Sequence, residues 1–367
     1  MTPSLLLNKR LCLALSASSL VVLAACGGGG GGSDAGTAAD QAAAQAAATA
    51  ATARAAADAA ANAAAQAAIV AAAPPSSYAA GSEELAAFNL LNFERGRCGF
   101  GQLTQNLQLD AAAKSHADYQ IINNVLSHVQ NRTTNPAGFT GTNPIDRVLA
   151  QGYTGVGGVT DEIVGLFGTD AKAGTGASGV RGLLSAPYHL RGLVAGYRDV
   201  GLSVRSSTDL GTRAPTVILQ LNAAYKAAAG PQLQGSGEVN TYPCEGTTGV
   251  NRQLANESPN PIPGRDLAVN PLGGVVYVGL REGNVLRITN VAMTQVSTGR
   301  SIALRAPVTA ANDPYSPCLE GCFKPHQAYV AADAPLQANS AFQVVLNGTN
   351  NGTPFSRSFV FSTGAGG

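Results

Sequence analysis

The chain has 367 residues, of which 12% are charged, and a formal net charge of +1; without a basic field to neutralise phosphates, nucleic-acid binding is excluded as a leading function. Its 45% hydrophobic content comes largely from alanine, and no run of about 18 or more strongly apolar residues follows residue 26, which excludes a polytopic membrane protein. Once an export signal and a low-complexity stretch are set aside, about 290 residues remain, enough for two modest cores.

Residues 1–25 read as a signal peptide: Lys9-Arg10, then an apolar stretch from Leu11 to Ala25. Leu23-Ala24-Ala25-Cys26 resembles the lipobox of bacterial lipoproteins. That resemblance implies cleavage before Cys26 and acylation of its thiol and new amino terminus, by palmitate or a similar chain. Each buried methylene contributes about 0.8 kcal/mol, so several chains hold a protein on a bilayer without a spanning helix. Gly27 stands where an aspartate would resemble the inner-membrane retention signal, so the resemblance implies the outer membrane, with the chain facing the periplasm or the cell surface. Residues 26–80 then form a glycine- and alanine-rich linker. From Thr37 to Ala73 alanine fills 25 of 37 positions, which favours a helix of about 55 Å at 1.5 Å per residue. It has no wide apolar stripe to bury, so a fluctuating or disordered chain is the competing reading. Pro74-Pro75 ends it, and in either state it is a spacer.

Ordinary composition begins with a first folded domain, residues 81–225. Ser82 with Glu83-Glu84 supplies an N-cap and first-turn acids for a helix ending near Arg95-Gly96. A second helix is predicted from Asp110 towards Asn124, and a third starts at Asn143-Pro144, with proline at the favourable first position, and stops at Gly152. A fourth, from Val180 to about Arg191, is broken or kinked by Pro187. Val200–Val204 and Thr216–Leu221 read as strands. Helices first and strands last predict an α+β domain rather than a doubly wound one.

In order along this stretch, Asn92 and Arg95, Leu103 and Leu107, Leu126-Ser127-His128, Asp146-Arg147, Gly152-Tyr153, Glu162-Ile163, Ser185-Ala186-Pro187-Tyr188-His189 and Val200-Gly201-Leu202 resemble the pattern of bacterial CAP domains, also called SCP domains. The resemblance covers about 145 residues. It implies an α-β-α sandwich whose cleft carries two histidines and acidic residues, binding a divalent metal in some members. His128, Glu162 and His189 fall on the cleft positions, with His128 and His189 as metal ligands for zinc or another divalent cation. Ile163-Val164 departs from the family pattern, and a second cleft glutamate has no clear counterpart. The three residues match no local ligand spacing, although two imidazoles and a carboxylate are a sufficient set for zinc with an open fourth position. The competing reading is a hydrogen-bonded structural cluster. His116, twelve residues before His128, would stand about 18 Å away on one helix and reads as a packing or surface residue.

Residues 226–254 have little periodicity and read as a connector. Residues 255–367 then carry seven short strand-like runs: 274–278, 285–288, 292–296, 301–305, 328–330, 342–346 and 355–361. Turns such as Glu282-Gly283-Asn284 and Asn347-Gly348 separate them, which predicts an all-β sandwich. Phe342–Leu346 and the closing Phe359–Gly364 resemble bacterial Ig-like domains. Of six cysteines, Cys12 goes with the signal and Cys26 is acylated. The even remainder in an exported chain predicts two disulfides, Cys318–Cys322 across a short loop and Cys98–Cys244 as the second pair.

Together these features predict a lipid-anchored envelope protein whose CAP-like cleft binds a small or lipidic ligand or a cell-wall component. No cofactor is required; a divalent cation such as zinc is the one candidate. The membrane is reached only through the anchor, and no nucleic acid is a partner. One rival is a hydrolase in which Ser185 or Ser127 pairs with a cleft histidine, against which no Gly-x-Ser-x-Gly elbow occurs. The other is an adhesin working through the Ig-like domain.

Overall fold

A computed structural model describes residues 35–316 and 322–366. The expected signal peptide, acylated Cys26 and its glycine run, and Cys318, lie outside the described residues. The elements are α1 (Ala35–Ala68), α2 (Glu83–Arg97), β1 (Thr104–Gln105), α3 (Leu107–Asn123), α4 (Pro144–Ala150), β2 (Val156–Phe167), α5 (Thr175–Leu183), α6 (Pro187–Val194), β3 (Asp199–Ser206), α7 (Ser207–Leu210) and β4 (Thr216–Lys226). They continue with β5 (Asn240–Tyr242), β6 (Gln253–Leu254), β7 (Leu272–Gly273), β8 (Val275–Gly279), β9 (Leu286–Gln295), β10 (Val308–Thr309), β11 (Gln327–Ala331), β12 (Ala341–Asn350) and β13 (Thr353–Ser362). The chain is thus mixed α and β, and divides into two units, residues 1–53 and 54–367.

The alanine-rich stretch is helical, and its side chains from Ala39 to Ala60 are all exposed. With no buried face, the intrinsic preference of alanine and not tertiary packing holds it. After α1 the chain becomes a strap over the larger unit. The Val70 amide donates to Gln232 Oε1 at 2.7 Å, the Val70 carbonyl accepts from the Gln102 amide at 2.8 Å, and the Ala73 amide donates to Gln102 Oε1 at 2.7 Å.

Within the larger unit, a sheet of order β1-β3-β4-β2 is covered by helices on both faces. Strand alternation divides β4: Val217, Leu219 and Leu221 point towards α2, α5 and α6, while Ile218 and Ala224 point towards α3. The predicted helix starts are present, with Ser82 Oγ accepting from the Leu85 amide at 3.1 Å. Pro187 breaks the predicted fourth helix into α5 and α6 and takes the first position of α6. The expectation of helices first and strands last does not hold, because β2 lies between α4 and α5. Its glycines and acids hide it, and they have a packing reason: a Cβ on Gly157 or Gly158 would meet the Tyr225 ring at 2.5 or 2.6 Å.

Two further sheets follow, β10-β11-β8-β5 and β13-β12-β9. Val276 and Val330 of one pack against Met293, Phe342, Val344 and Phe361 of the other, as in a sandwich. The expected strands at 285–288 and 292–296 are one continuous strand, β9, in which Thr289 is an extra, bulged residue opposite Asn347/Gly348 of β12. The expected strand at 301–305 is absent; Ser301 and Leu304 make only isolated bridges. Asn347-Gly348, expected as a turn, lies inside β12; Asn351 and Gly352, with φ of 50° and 83°, form the β12–β13 turn instead, and their two left-handed positions suit asparagine and glycine.

β8 and β11 are buried on both faces. Val276 and Val330 enter the sandwich core, whereas Val275, Tyr277, Tyr329 and Ala331 belong to the cluster that also holds Leu91, Leu190 and Leu219. One apolar core therefore runs from the helical part into the sandwich, and the Cys98–Cys244 disulfide, with a sequence separation of 146, joins the end of α2 to the segment after β5. Cys322 is also disulfide-bonded.

Candidate functional site

The site is built on consecutive acids of β2. Neighbouring residues on a strand face opposite sides of the sheet, so Asp161 and Glu162 point to different helical layers, each serving one histidine. His128, in the loop after α3, places Nδ1 at 3.1 Å from Asp161 Oδ1. His189, third in α6, places Nδ1 at 2.6 Å from Glu162 Oε2. Because β2 is an edge strand, the two rings reach round it and meet with centroids 6.0 Å apart.

Each histidine is held from behind. Asp161 also accepts from Arg147 Nη2 at 2.9 Å and Gln220 Nε2 at 3.4 Å, and Arg147 donates to the His128 carbonyl at 3.1 Å. His116 is fully buried; its Nε2 donates to the Ser127 carbonyl at 2.8 Å and its Nδ1 accepts from Gln130 at 3.0 Å. Burial, aided by the Arg147 charge, lowers its pKa to about 4, so it is neutral. Burial also pulls down the pKa of His128 and of His189, but the carboxylate bonded to each outweighs it, and both are held above the ordinary histidine value.

On the α6 side the C-terminal part of the chain takes over. Ala186 offers α6 no capping side chain. Glu257 Oε1 instead accepts from the Tyr188 amide at 2.7 Å and the His189 amide at 3.4 Å, a cap supplied from about 70 residues downstream. Glu257 is 7% exposed, and its Oε2 has no hydrogen-bond partner among the described residues. Burial pushes this carboxyl up to about 8, against the charge of His189 and the two amides. Tyr188 donates its hydroxyl to Asp313 at 2.9 Å and packs on Phe323 and Tyr315.

His128 and His189 line a cavity of about 550 Å³. Leu126, Val129, Ile163 and Leu183 supply apolar walls, and residues 251 and 253–258 close the opposite side. Glu162 is buried behind His189 and does not reach the cavity surface. Neither serine expected in the hydrolase alternative is paired with a histidine: Ser185 Oγ donates to the Arg181 carbonyl at 2.7 Å, and Ser127 Oγ accepts from the Val129 amide at 3.1 Å.

The fit to a metal is partial. A carboxylate on Nδ1 is the arrangement that leaves Nε2 of a histidine as a ligand. Among the described residues, however, no group of three or more His, Cys, Asp or Glu is disposed to hold a metal ion. Two imidazoles are one protein ligand short of an ordinary catalytic zinc site.

Asp161 and Glu257 are the residues of the candidate site that sequence reasoning misses. Asp161 carries a signal, two adjacent acids in a segment that is otherwise apolar and glycine-rich. Glu257 carries none, since Asn256-Glu257-Ser258-Pro259 reads as an exposed turn.

No helix among the described residues is long and apolar enough to cross a membrane. No family model matches the chain, and no curated protein matches it. Among solved structures it is similar to an outer surface protein of Borrelia burgdorferi, with 15% identity and a TM-score of 0.31 over 41% of this chain and 96% of that one. It is also similar to an extracellular protein containing an SCP domain from Bacillus anthracis strain Ames, with 20% identity and a TM-score of 0.30 over 39% of this chain and 40% of that one. At these scores neither likeness bears on what this chain does.

Proposed function

We propose that the chain is a CAP-type binding protein of the cell envelope, held by acyl chains on Cys26 at the outer membrane, with the alanine-rich helix as spacer and the C-terminal Ig-like sandwich as a supporting module. The observation that carries the reading is the convergence of His128 and His189, each with its own carboxylate, on one cavity with apolar walls. Such a site suits a small or lipidic ligand: apolar area for the body, a few placed polar groups for orientation. Glu162 acts by orienting His189. A divalent cation bound here takes His128 and His189 and completes its shell from the ligand or water. The serine hydroxyls turned to backbone partners favour binding over hydrolysis.

The test is extraction of the protein from its native envelope, with mass spectrometry of the molecules that travel with it, for the wild type and the His128→Ala/His189→Ala double variant. The double variant is expected to lose at least one co-purifying species and to bind zinc more weakly; the same molecules at the same occupancy on both proteins would overturn the cleft assignment.

A further inference from the structure

On the side of α6 away from the cleft, the helical part of the larger unit meets the sandwich round a hollow of about 200 Å³. Arg191 follows His189 by two residues, about 200° round the helix, so α6 turns His189 to the cleft and Arg191 to this hollow. Arg281, Lys324 and His326 line it from the sandwich, with exposed Glu282 as its one acid. Arg191, Arg281 and Lys324 are half-buried, yet among the described residues none of these three side chains makes an ion pair or a hydrogen bond. The carbonyls at the end of α6 do not occupy Arg191, because Arg95 takes those of Leu193 and Ala195.

The groups from the sandwich stand on fixed backbone. The Leu280 amide donates to the His326 carbonyl and the Leu286 amide to the Pro325 carbonyl, each at 2.9 Å. Gln327 closes a turn on Lys324: its Oε1 accepts from the Lys324 amide at 3.2 Å, and its amide donates to the Lys324 carbonyl at 2.9 Å. Like charges held round one hollow repel one another, and a bound anion replaces that repulsion by attraction. Burial lowers the pKa of His326; Glu282 opposes the fall, and the charges of Arg191 and Lys324 add to it. The imidazole is therefore neutral near pH 7 and keeps one N–H to donate.

We infer that this junction binds a terminal phosphate group, free or carried on a larger molecule, with Arg191, Arg281 and Lys324 taking its oxygens. The hollow is smaller than the range of about 300–1,000 Å³ that suits drug-sized ligands, so it takes one compact group and leaves the rest of a larger molecule outside. Three cations against one acid leave a surplus of two charges. That surplus matches a phosphate monoester, with a charge of about −1.5 to −2 near neutral pH, and exceeds what a carboxylate or a phosphodiester supplies. Guanidinium forks from two different elements suit the paired oxygens of phosphate. The site is separate from the cleft and does not rest on the reading of it.

Calorimetric titration of the full chain carrying Cys26→Ser, so that no acyl group of its own enters a bilayer, tests this with glycerol 3-phosphate, inorganic phosphate and the singly charged dimethyl phosphate. The first two should bind on the order of tenfold more tightly than the third. Arg281→Gln/Lys324→Gln should weaken glycerol 3-phosphate binding on the order of 100-fold, about tenfold for each charged hydrogen bond removed. Glu282→Gln, which removes the opposing acid, should tighten it by about threefold, a gain that a merely structural role would not produce. His128→Ala/His189→Ala should bind as the parent does. If the Arg281/Lys324 double variant fails to fold, Arg191→Gln and Glu282→Gln singly carry the same comparison. Flotation with phosphatidylcholine vesicles, with and without phosphatidic acid, identifies the carrier. Capture by the phosphatidic acid vesicles alone, reversed by glycerol 3-phosphate, supports the inference with a lipid head as the source; binding of the free monoester without capture supports it with a soluble one. The inference is overturned if no phosphate binds in either assay, if dimethyl phosphate binds as tightly as the monoester, or if the charge variants bind as the parent does.

Discussion

His116 holds the loop that carries His128, and it does so only as a neutral imidazole. Nε2 must donate to Ser127 while Nδ1 accepts from Gln130; a second ring proton would leave two donors facing the Gln130 amide. Burial depresses the pKa from 6.5 to about 4. The unfolded chain therefore binds this proton more readily, and the linked stability is present above pH 6.5 and lost as the pH falls towards 4. The full difference is about 3 kcal/mol, reached only below the folded pKa. Urea unfolding at neutral pH and near pH 4.5 should show the wild type losing more stability than His116→Gln, which has no proton to gain. Equal losses in the two proteins would remove His116 from the acid response. Little of this arrangement is legible along the chain. His116, His128, Glu162 and His189 have no shared spacing, and only the family resemblance places the last three together, whereas Asp161 ties the His128 loop to Arg147 of α4 and Gln220 of β4 through contacts that no local pattern encodes.

At the scale of elements, the distance between α6 and β2 decides whether His189 keeps its carboxylate. Gly192 sits where α6 crosses β2, and a Cβ there would overlap Glu162 Oε1. Gly192→Ala must push the carboxylate aside or lift the helix, at a cost of about 1–3 kcal/mol. Without Glu162, burial acts on His189 with less opposition, so its pKa should drop in the variant while that of His128, held by Asp161, changes less. Histidine titration followed by NMR reads both; an unchanged His189 would show that α6 has room to spare. The elements themselves are unevenly legible. Ser82, Pro144 and Pro187 mark helix starts by local chemistry, so those boundaries can be read directly. β2 cannot be, because the same glycines that admit the Tyr225 ring and the same acids that hold the histidines erase the alternation by which a strand is recognised.

For the larger unit as a whole, the decisive feature is that β8 and β11 serve two cores at once. Removing residues 255–367 would strip Tyr277, Phe323 and Tyr329 from the cluster that buries Tyr188 and Leu190, together with the Glu257 cap of α6 and one wall of the cavity. Two packed parts that share a core should melt together, so calorimetry is expected to give one transition for residues 54–367, with calorimetric and van't Hoff enthalpies in agreement. The Cys98–Cys244 link closes a loop of 146 residues, and the loop-entropy estimate for its loss is about 5 kcal/mol as an upper figure. Cys98→Ser/Cys244→Ser should therefore lower the transition temperature without dividing the transition, since Tyr242, Tyr277 and Leu272 still tie the two parts through apolar contact. Two resolved transitions, in the wild type or after loss of this disulfide, would mean that the shared core is too weak to couple the parts. In that case a fragment ending at residue 254 should fold and keep its melting temperature; with the core shared, the same fragment should aggregate or melt well below the full chain.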